Sequence, residues 1–267
     1  MGLNYNNIKF LIHAKSLGVN FGNTATIGRQ GLHIKKNKLA FIFKDLKGAD
    51  VDNLLSSSYS EKLLEYLGST NVDSFDFSGY ENAKIIHDFN KPISDEYKNK
   101  YDLVIDGGTL EHVFNFPVAI KNCMEMVKPG GYFVSMTTCN NFSGHGFYQF
   151  SPELFFRLFS KDNGYFVKQL LIEERNKWYI ASDPALINRR VTFKNSEETT
   201  LFLIAKKELI VNIFDKTPQQ SDYVVLWNEN KIKNSSSFFI KVIRRLKVNL
   251  KNFLIKYDKD MFKKIEI

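Results

Sequence analysis

Cysteine, proline, tryptophan and long apolar runs are all scarce in this chain. Its 267 residues include 2 cysteines, 6 prolines and 2 tryptophans. Two cysteines, Cys123 and Cys139, cannot form a disulfide framework, and a reducing cytoplasm is the simplest compartment they imply. Zinc needs about four ligands, and no Cys/His cluster at zinc spacing occurs, so no metal is expected. No apolar run approaches the roughly 20 residues that cross a bilayer. The N-terminus lacks a positively charged start followed by an apolar core, and no signal peptide is expected. Neither GxGxG nor GxGxxG occurs at the first expected strand-to-helix turn. That absence argues against a nicotinamide dinucleotide site, where the pyrophosphate needs close backbone approach at those glycines.

What is present points to one large domain. Hydrophobic residues make up 43% of the chain, ample for a buried core. The net charge is +8, and residues 231–267 carry all of that excess, with eleven Lys/Arg against three Asp/Glu. A basic chain suggests nucleic acid, but a neutral body with a basic tail does not place nucleic acid at the site itself, and no nucleic-acid-binding motif is present. The domain is expected over residues 1–230 and a basic amphipathic helical tail over 231–267, with Ser235, Ser236 and Ser237 in the linker.

Residues 101–138, YDLVIDGGTLEHVFNFPVAIKNCMEMVKPGGYFVSMTT, are the most informative stretch. Leu103, Val104 and Ile105 form an apolar run that suits a parallel strand buried on both faces. Gly107 and Gly108 break it. Val118, Cys123, Met124 and Val127 then follow at helical spacing. Pro129, Gly130 and Gly131 are expected to end that helix before a strand over 132–136. The unit is βαβ, right-handed in nearly all cases, and ligands bind beyond the carboxyl ends of such strands. Residues 106–112 are therefore expected at the ligand edge.

Elsewhere the pattern predicts helices over 8–17, 30–43 and 61–67, with Ser60 capping the last and Gly68 stopping it. Strands are expected over 24–28, 72–77, 84–87, 166–172 and 200–205, and residues 45–58 read as an irregular, lid-like insertion. Ser151, Pro152 and Glu153 supply a capping hydroxyl, a first-turn proline and a first-turn acid for a helix running to about residue 159.

The segments YDLVIDGGTLEHV and VKPGGYFV closely resemble the fourth and fifth strands of class I S-adenosylmethionine-dependent methyltransferases, chiefly through Leu110, Glu111 and His112 and through Lys128, Pro129, Gly130 and Gly131. The resemblance implies an α/β, Rossmann-like methyltransferase fold, with a mostly parallel central sheet, helices on both faces and a C-terminal helical appendage. It implies S-adenosylmethionine as cofactor. The glycine-rich turn of that family is reduced here to Gly28, Arg29 and Gln30. There Arg29 either meets the cofactor's carboxylate or anchors the loop. The resemblance gives Asp76 the ribose hydroxyls, which a carboxylate can accept together. It gives Asp88 and Phe89 the adenine, and Asp106, Gly107 and Gly108 the methionine moiety. Glu111 and His112 are expected to cap and orient the following helix.

Beyond the fifth strand, residues 140–150 are rich in polar and aromatic groups, and in the resemblance this loop faces the methyl acceptor. His145 is the general-base candidate, since imidazole titrates near neutrality. Tyr148 and Gln149 are candidates to orient the acceptor. An acceptor that is already anionic needs no base, and His145, Arg29 or Lys177 then serve as positive donors. The divergent first turn and the HGFYQFSPE loop resemble methyltransferases associated with bacterial surface polysaccharides, some of them linked to methylated phosphoramidate decorations of capsule. The expected partner is thus a small polar acceptor. The apolar face over 238–257 has three competing placements: its own domain, a partner subunit of a homo-oligomer, or the anionic inner membrane surface. A non-catalytic scaffold docked by that helix is the competing function.

Overall fold

The computed structural model describes residues 2–44, 49–187, 190–232 and 261–267. Its strands, in chain order, are β1 (Gly2–Leu3), β2 (Gly22–Ile27), β3 (Gly31–Leu32), β4 (Ser69–Asp76), β5 (Ile85–Ile86), β6 (Tyr101–Asp106), β7 (Val127–Thr138), β8 (Tyr165–Glu174), β9 (Lys177–Ala181), β10 (Thr200–Lys207) and β11 (Phe262–Ile265). The helices are α1 (Tyr5–Ser16), α2 (Lys36–Phe43), α3 (Val51–Leu54), α4 (Glu61–Tyr66), α5 (Phe116–Met126), α6 (Pro152–Leu158), α7 (Pro184–Ile187) and α8 (Ser221–Ile232).

Alternation along the central strands explains the layering. Leu103 and Ile105 of β6 face one core and Val104 faces the other. Successive side chains of a strand point to opposite faces, so a run apolar at every position must be covered on both. One layer is built on Ile8 and Leu11 of α1, Leu39 of α2 and Leu63 of α4. The other is built on Ala119 and Ile120 of α5 and Phe155 of α6. Cys123 and Cys139 are free and buried, packed as small apolar groups.

The main sheet has nine strands in the order β11-β9-β8-β10-β7-β6-β2-β4-β5. From β2 the chain winds outward through β4 to β5, then crosses back to β6 and β7, all in parallel pairings. The reversal falls between β2 and β6 and opens a crevice over their carboxyl ends. Beyond β7 every pairing is antiparallel. The fold is the expected doubly wound α/β class, but the sheet is mixed rather than mostly parallel.

Several local expectations are corrected. The start of the predicted 30–43 helix is extended instead. Gly31 and Leu32 pair with Gly2 and Leu3, and the Leu32 N–H donates to the Ser58 carbonyl at 2.7 Å. The helix α5 stops at Met126, ahead of the expected glycines, because a residue before proline is driven out of the helical region and Lys128 precedes Pro129. Ser60 occupies the cap position of α4, but its hydroxyl makes no capping bond. The cap at Ser151 forms as expected, its hydroxyl accepting from the Leu154 N–H at 3.4 Å.

The tail expectation changes most. The amphipathic segment 238–257 lies outside the described residues. The residues after it form β11, which pairs antiparallel with β9 at the edge of the main sheet. Met261 and Phe262 are buried in the α5 and α6 core, and Phe262 meets Phe193 edge-on at 5.1 Å. The end of the supposed appendage is thus part of the domain. Among the described residues, no helix is long and apolar enough to cross a membrane.

Phe262→Ala tests this placement. Truncating a buried phenylalanine costs about 3–5 kcal/mol, read from the urea midpoint at unchanged slope. An unaltered midpoint would mean that residues 261–267 are not part of the core.

Candidate functional site

The carboxyl edge of the sheet gathers the residues on which function is expected to rest. A cleft of about 500 Å³ is lined by Gly28 after β2, Asp76 at the end of β4, Asp88 and Phe89 after β5, and Thr109 and His112 after β6. It lies at the topological switch point. Four expected cofactor residues, Gly28, Asp76, Asp88 and Phe89, therefore share one wall system.

The Asp76 carboxylate is lightly used. Its Oδ2 accepts from the Arg29 N–H at 3.4 Å and its Oδ1 from the Ser78 N–H at 3.3 Å. Both are long, so it keeps accepting capacity toward the cleft. Asp88 is more committed. Its Oδ1 accepts from the Asn90 N–H and side-chain amide at 3.0 and 2.8 Å, and Lys91 lies 3.6 Å from its Oδ2. Those Asn90 bonds hold its carboxyl below the ordinary value. Phe89 is buried against Phe75 and His87, both edge-on.

Other expected contacts are satisfied internally. The Arg29 guanidinium pairs with Glu61 at 2.7 Å, donates to the Glu81 carbonyl at 2.8 Å and lies 3.9 Å above the Tyr59 ring. The side chain is an anchor between loops, leaving its backbone N–H to face Asp76. Gln30 is buried. Its amide donates to the Ile27 carbonyl at 2.6 Å, while its Oε1 has no partner. That Oε1 occupies the place where a Cβ on Gly107 would lie. Gln30 thus fills the turn that extra glycines would otherwise shape, and Gly107 must be glycine to admit it.

Asp106 points inward, a correction to its expected place beside the methionine moiety. It is fully buried. Its Oδ1 accepts from the Thr109 and Leu110 N–H groups at 2.9 and 3.2 Å, and its Oδ2 from the Ser135 hydroxyl at 2.8 Å. The carboxylate folds the turn after β6 and ties it to β7. Glu111, in the 3₁₀ turn Leu110–His112 that follows, is also buried and accepts from the Thr137 hydroxyl at 2.9 Å. Burial raises both carboxyls, and the charge of Asp106 raises Glu111 further.

The loop after β7 lies on this turn. The Phe147 N–H donates to the Glu111 carbonyl at 2.7 Å. A Cβ on Gly146 would sit 2.8 Å from that carbonyl, and Gly146 has φ +71°, so glycine is needed on both counts. This contact places His145 with Nε2 3.8 Å from the Glu111 carboxylate and its ring 4.8 Å from that of His112. The nearest ligand atoms of Glu111, His112 and His145 all lie within 4.8 Å of one another. No spacing rule in the sequence shows this cluster, because His145 reaches it only through loop packing. Burial, then His145, lowers the His112 imidazole below its ordinary value.

Tyr148 and Gln149 hold the loop rather than face the cleft. Tyr148 donates to the Phe114 carbonyl at 2.6 Å and packs on Phe116 and Phe150. The Gln149 Oε1 accepts from the Phe142 N–H at 2.8 Å. Gln149 also borders a second cleft of about 440 Å³ with Cys139, Asn140, Ser151, Thr192 and Phe193. Lys177 begins β9, with five strands between it and β4, about 29 Å at ordinary strand spacing. It lines neither cleft.

No family model matches the sequence, and no curated protein matches it. Solved structures with a similar course of chain include methyltransferases. A candidate sarcosine dimethylglycine methyltransferase from Galdieria sulphuraria has TM-score 0.44 at 11% identity, over 76% of this chain and 86% of that one. The N-methyltransferase NodS from Bradyrhizobium japonicum has TM-score 0.40 at 11% identity, over 76% and 96%. The trans-methyltransferase CalH, solved in complex with S-adenosylhomocysteine, has TM-score 0.40 at 12% identity, over 76% and 55%.

The Gln30 and Gly107 contact is testable by a double-mutant cycle. Gly107→Ala is expected to cost about 1–3 kcal/mol of unfolding free energy through overpacking. Gln30→Ala in the same chain should return part of that loss. Additive losses would show that the two residues do not touch.

Proposed function

We propose that this chain is an S-adenosylmethionine-dependent methyltransferase that methylates an oxygen of a small polar acceptor. The observation that carries the reading is the convergence of Gly28, Asp76, Asp88 and Phe89 on one cleft at the switch point of the sheet. These are residues that the sequence resemblance assigns to the cofactor, and they come from three separate strand ends.

The cleft suits the group. Its volume falls in the range of small-molecule sites. Asp76 retains acceptor capacity for a pair of ribose hydroxyls, and Phe89 with Phe77 offers apolar wall to a planar base. The Arg29 side chain is spent on the Glu61 carboxylate and is not free for the carboxylate of the cofactor. The cofactor, when bound, supplies a methyl group on a sulfonium, which departs in an in-line displacement. Such a transfer asks the protein chiefly for alignment. The chain provides a turn pinned by Asp106 and a loop pinned by Tyr148 and Gln149, which hold His112 in the cleft wall and His145 beside it.

The finer reading is O-methylation of a phosphoramidate or sugar precursor of bacterial capsular polysaccharide, in the cytoplasm. What supports it is the likeness of the first turn and of the HGFYQFSPE loop, residues 145–153, to surface-polysaccharide methyltransferases.

Calorimetry with S-adenosylhomocysteine checks the cofactor half of the reading. One site per chain is expected, and Asp76→Ala should weaken it about tenfold or more through lost hydrogen bonds to the ribose. Absence of binding by the intact chain would overturn the proposal. Transfer of one methyl to a phosphoramidate or sugar acceptor, read by mass spectrometry, checks the rest.

A further inference from the structure

Glu111, His112 and His145 form an arrangement that hydrogen bonding does not explain. The Glu111 carboxylate lies 3.8 Å from His145 Nε2, too long for a hydrogen bond between a carboxylate and an imidazole. The two imidazoles stand edge-to-face at 4.8 Å, a distance at which protonated rings would repel. One Glu111 oxygen is taken by the Thr137 hydroxyl and the other faces His145. Asp106, a second buried carboxylate, lies close behind. Among the described residues, no lysine or arginine forms an ion pair with either acid. Two imidazoles thus face a buried carboxyl that no lysine or arginine approaches among the described residues.

We propose that Glu111, His112 and His145 bind one divalent transition-metal ion, with the remaining coordination positions open toward the cleft. Two imidazoles and one carboxylate are a donor set that takes zinc, manganese, cobalt or iron(II) and leaves places for an exogenous oxygen. The protein already supplies what such a site needs around its ligands. Thr137 orients the carboxylate by donating to the oxygen that faces away from His145. Gly146 lets the His145 loop rest on the Glu111 carbonyl, and the Phe147 N–H fastens it there. His112 lines the cleft itself, and His145 is half exposed, so the open side is reachable. A cation at the centre of the three would draw together ligand atoms that now lie within 4.8 Å of one another.

Resting on the methyltransferase reading, the ion's role there would be to hold the acceptor's oxygen beside the transferred methyl. It would neutralise an acceptor anion, or lower the pKa of an acceptor hydroxyl so that His145 need not act as a free base.

The test uses the full chain, stripped with chelator and titrated with cobalt(II) in the absence of cofactor, followed by visible absorption. A zinc(II) titration by calorimetry runs in parallel. One equivalent per chain is expected, with absorption bands of a low-coordinate cobalt centre. His112→Ala and His145→Ala should each weaken binding about tenfold or more, and Thr137→Val about 10–100-fold. His145→Ala is the cleanest variant because its side chain is half exposed, and an unchanged circular dichroism spectrum shows that it folds. No uptake by the intact chain would overturn the proposal, as would equal uptake by the His112→Ala/His145→Ala double variant. The S-adenosylhomocysteine titration is independent. Metal uptake without cofactor binding would leave this site standing and remove the methyltransferase reading, and the converse result would do the opposite.

Discussion

The buried carboxylate of Asp106 organises the edge on which everything functional depends. It ends β6, accepts the N–H groups of Thr109 and Leu110, and takes the hydroxyl of Ser135 on β7. Through those bonds a strand end, the turn after it and the neighbouring strand become one rigid piece. The turn carries Glu111 and His112, and the carbonyl of Glu111 in turn receives the loop that brings His145. A charge sealed from water is expensive. Here it is tolerated because several donors converge on it, and the return is a fixed direction for the side chains that follow.

The first turn shows how a site can be kept without its usual residues. Where a glycine-rich loop would bring backbone close to a ligand, Gln30 folds back onto the Ile27 carbonyl and fills the space over Gly107. Arg29 is drawn away by Glu61 and by the Glu81 carbonyl, bridging the turn to the loops beside it. The turn is held by these side chains together with Gly28, whose φ is +76°. Asp76 is thereby left as the freest carboxylate in the wall of the cleft.

Much of this was legible in the sequence, and particular residues show why. The apolar run Leu103, Val104, Ile105 stopping at Asp106 marks a strand covered on both faces, and the sheet places it next to the switch point. Ser151 with Pro152 starts a helix where capping chemistry says it should. Asp76, Asp88 and Phe89 follow strand ends that periodicity locates, and they meet in one cleft. The directions of side chains were less legible. Asp106 turns inward, Tyr148 spends its hydroxyl on the Phe114 carbonyl, and Lys177 lies on β9, with five strands between it and β4. Strand β11 was hidden because its four residues carry no alternation strong enough to outweigh the basic composition around them.

The sequence by itself determined the alternation of strand and helix, the order in which strand ends deliver polar groups to one edge, and the chemical kinds of those groups. Local propensity and hydrophobic period act over a few residues, so they reach that far. Which groups are spent on the protein and which remain for a ligand was decided only by tertiary structure. Burial of Asp106, capture of Arg29 by Glu61 and the approach of His145 to Glu111 and His112 all join residues far apart in the chain. The last of these depends on a backbone contact, Gly146 on the Glu111 carbonyl, that no local pattern encodes.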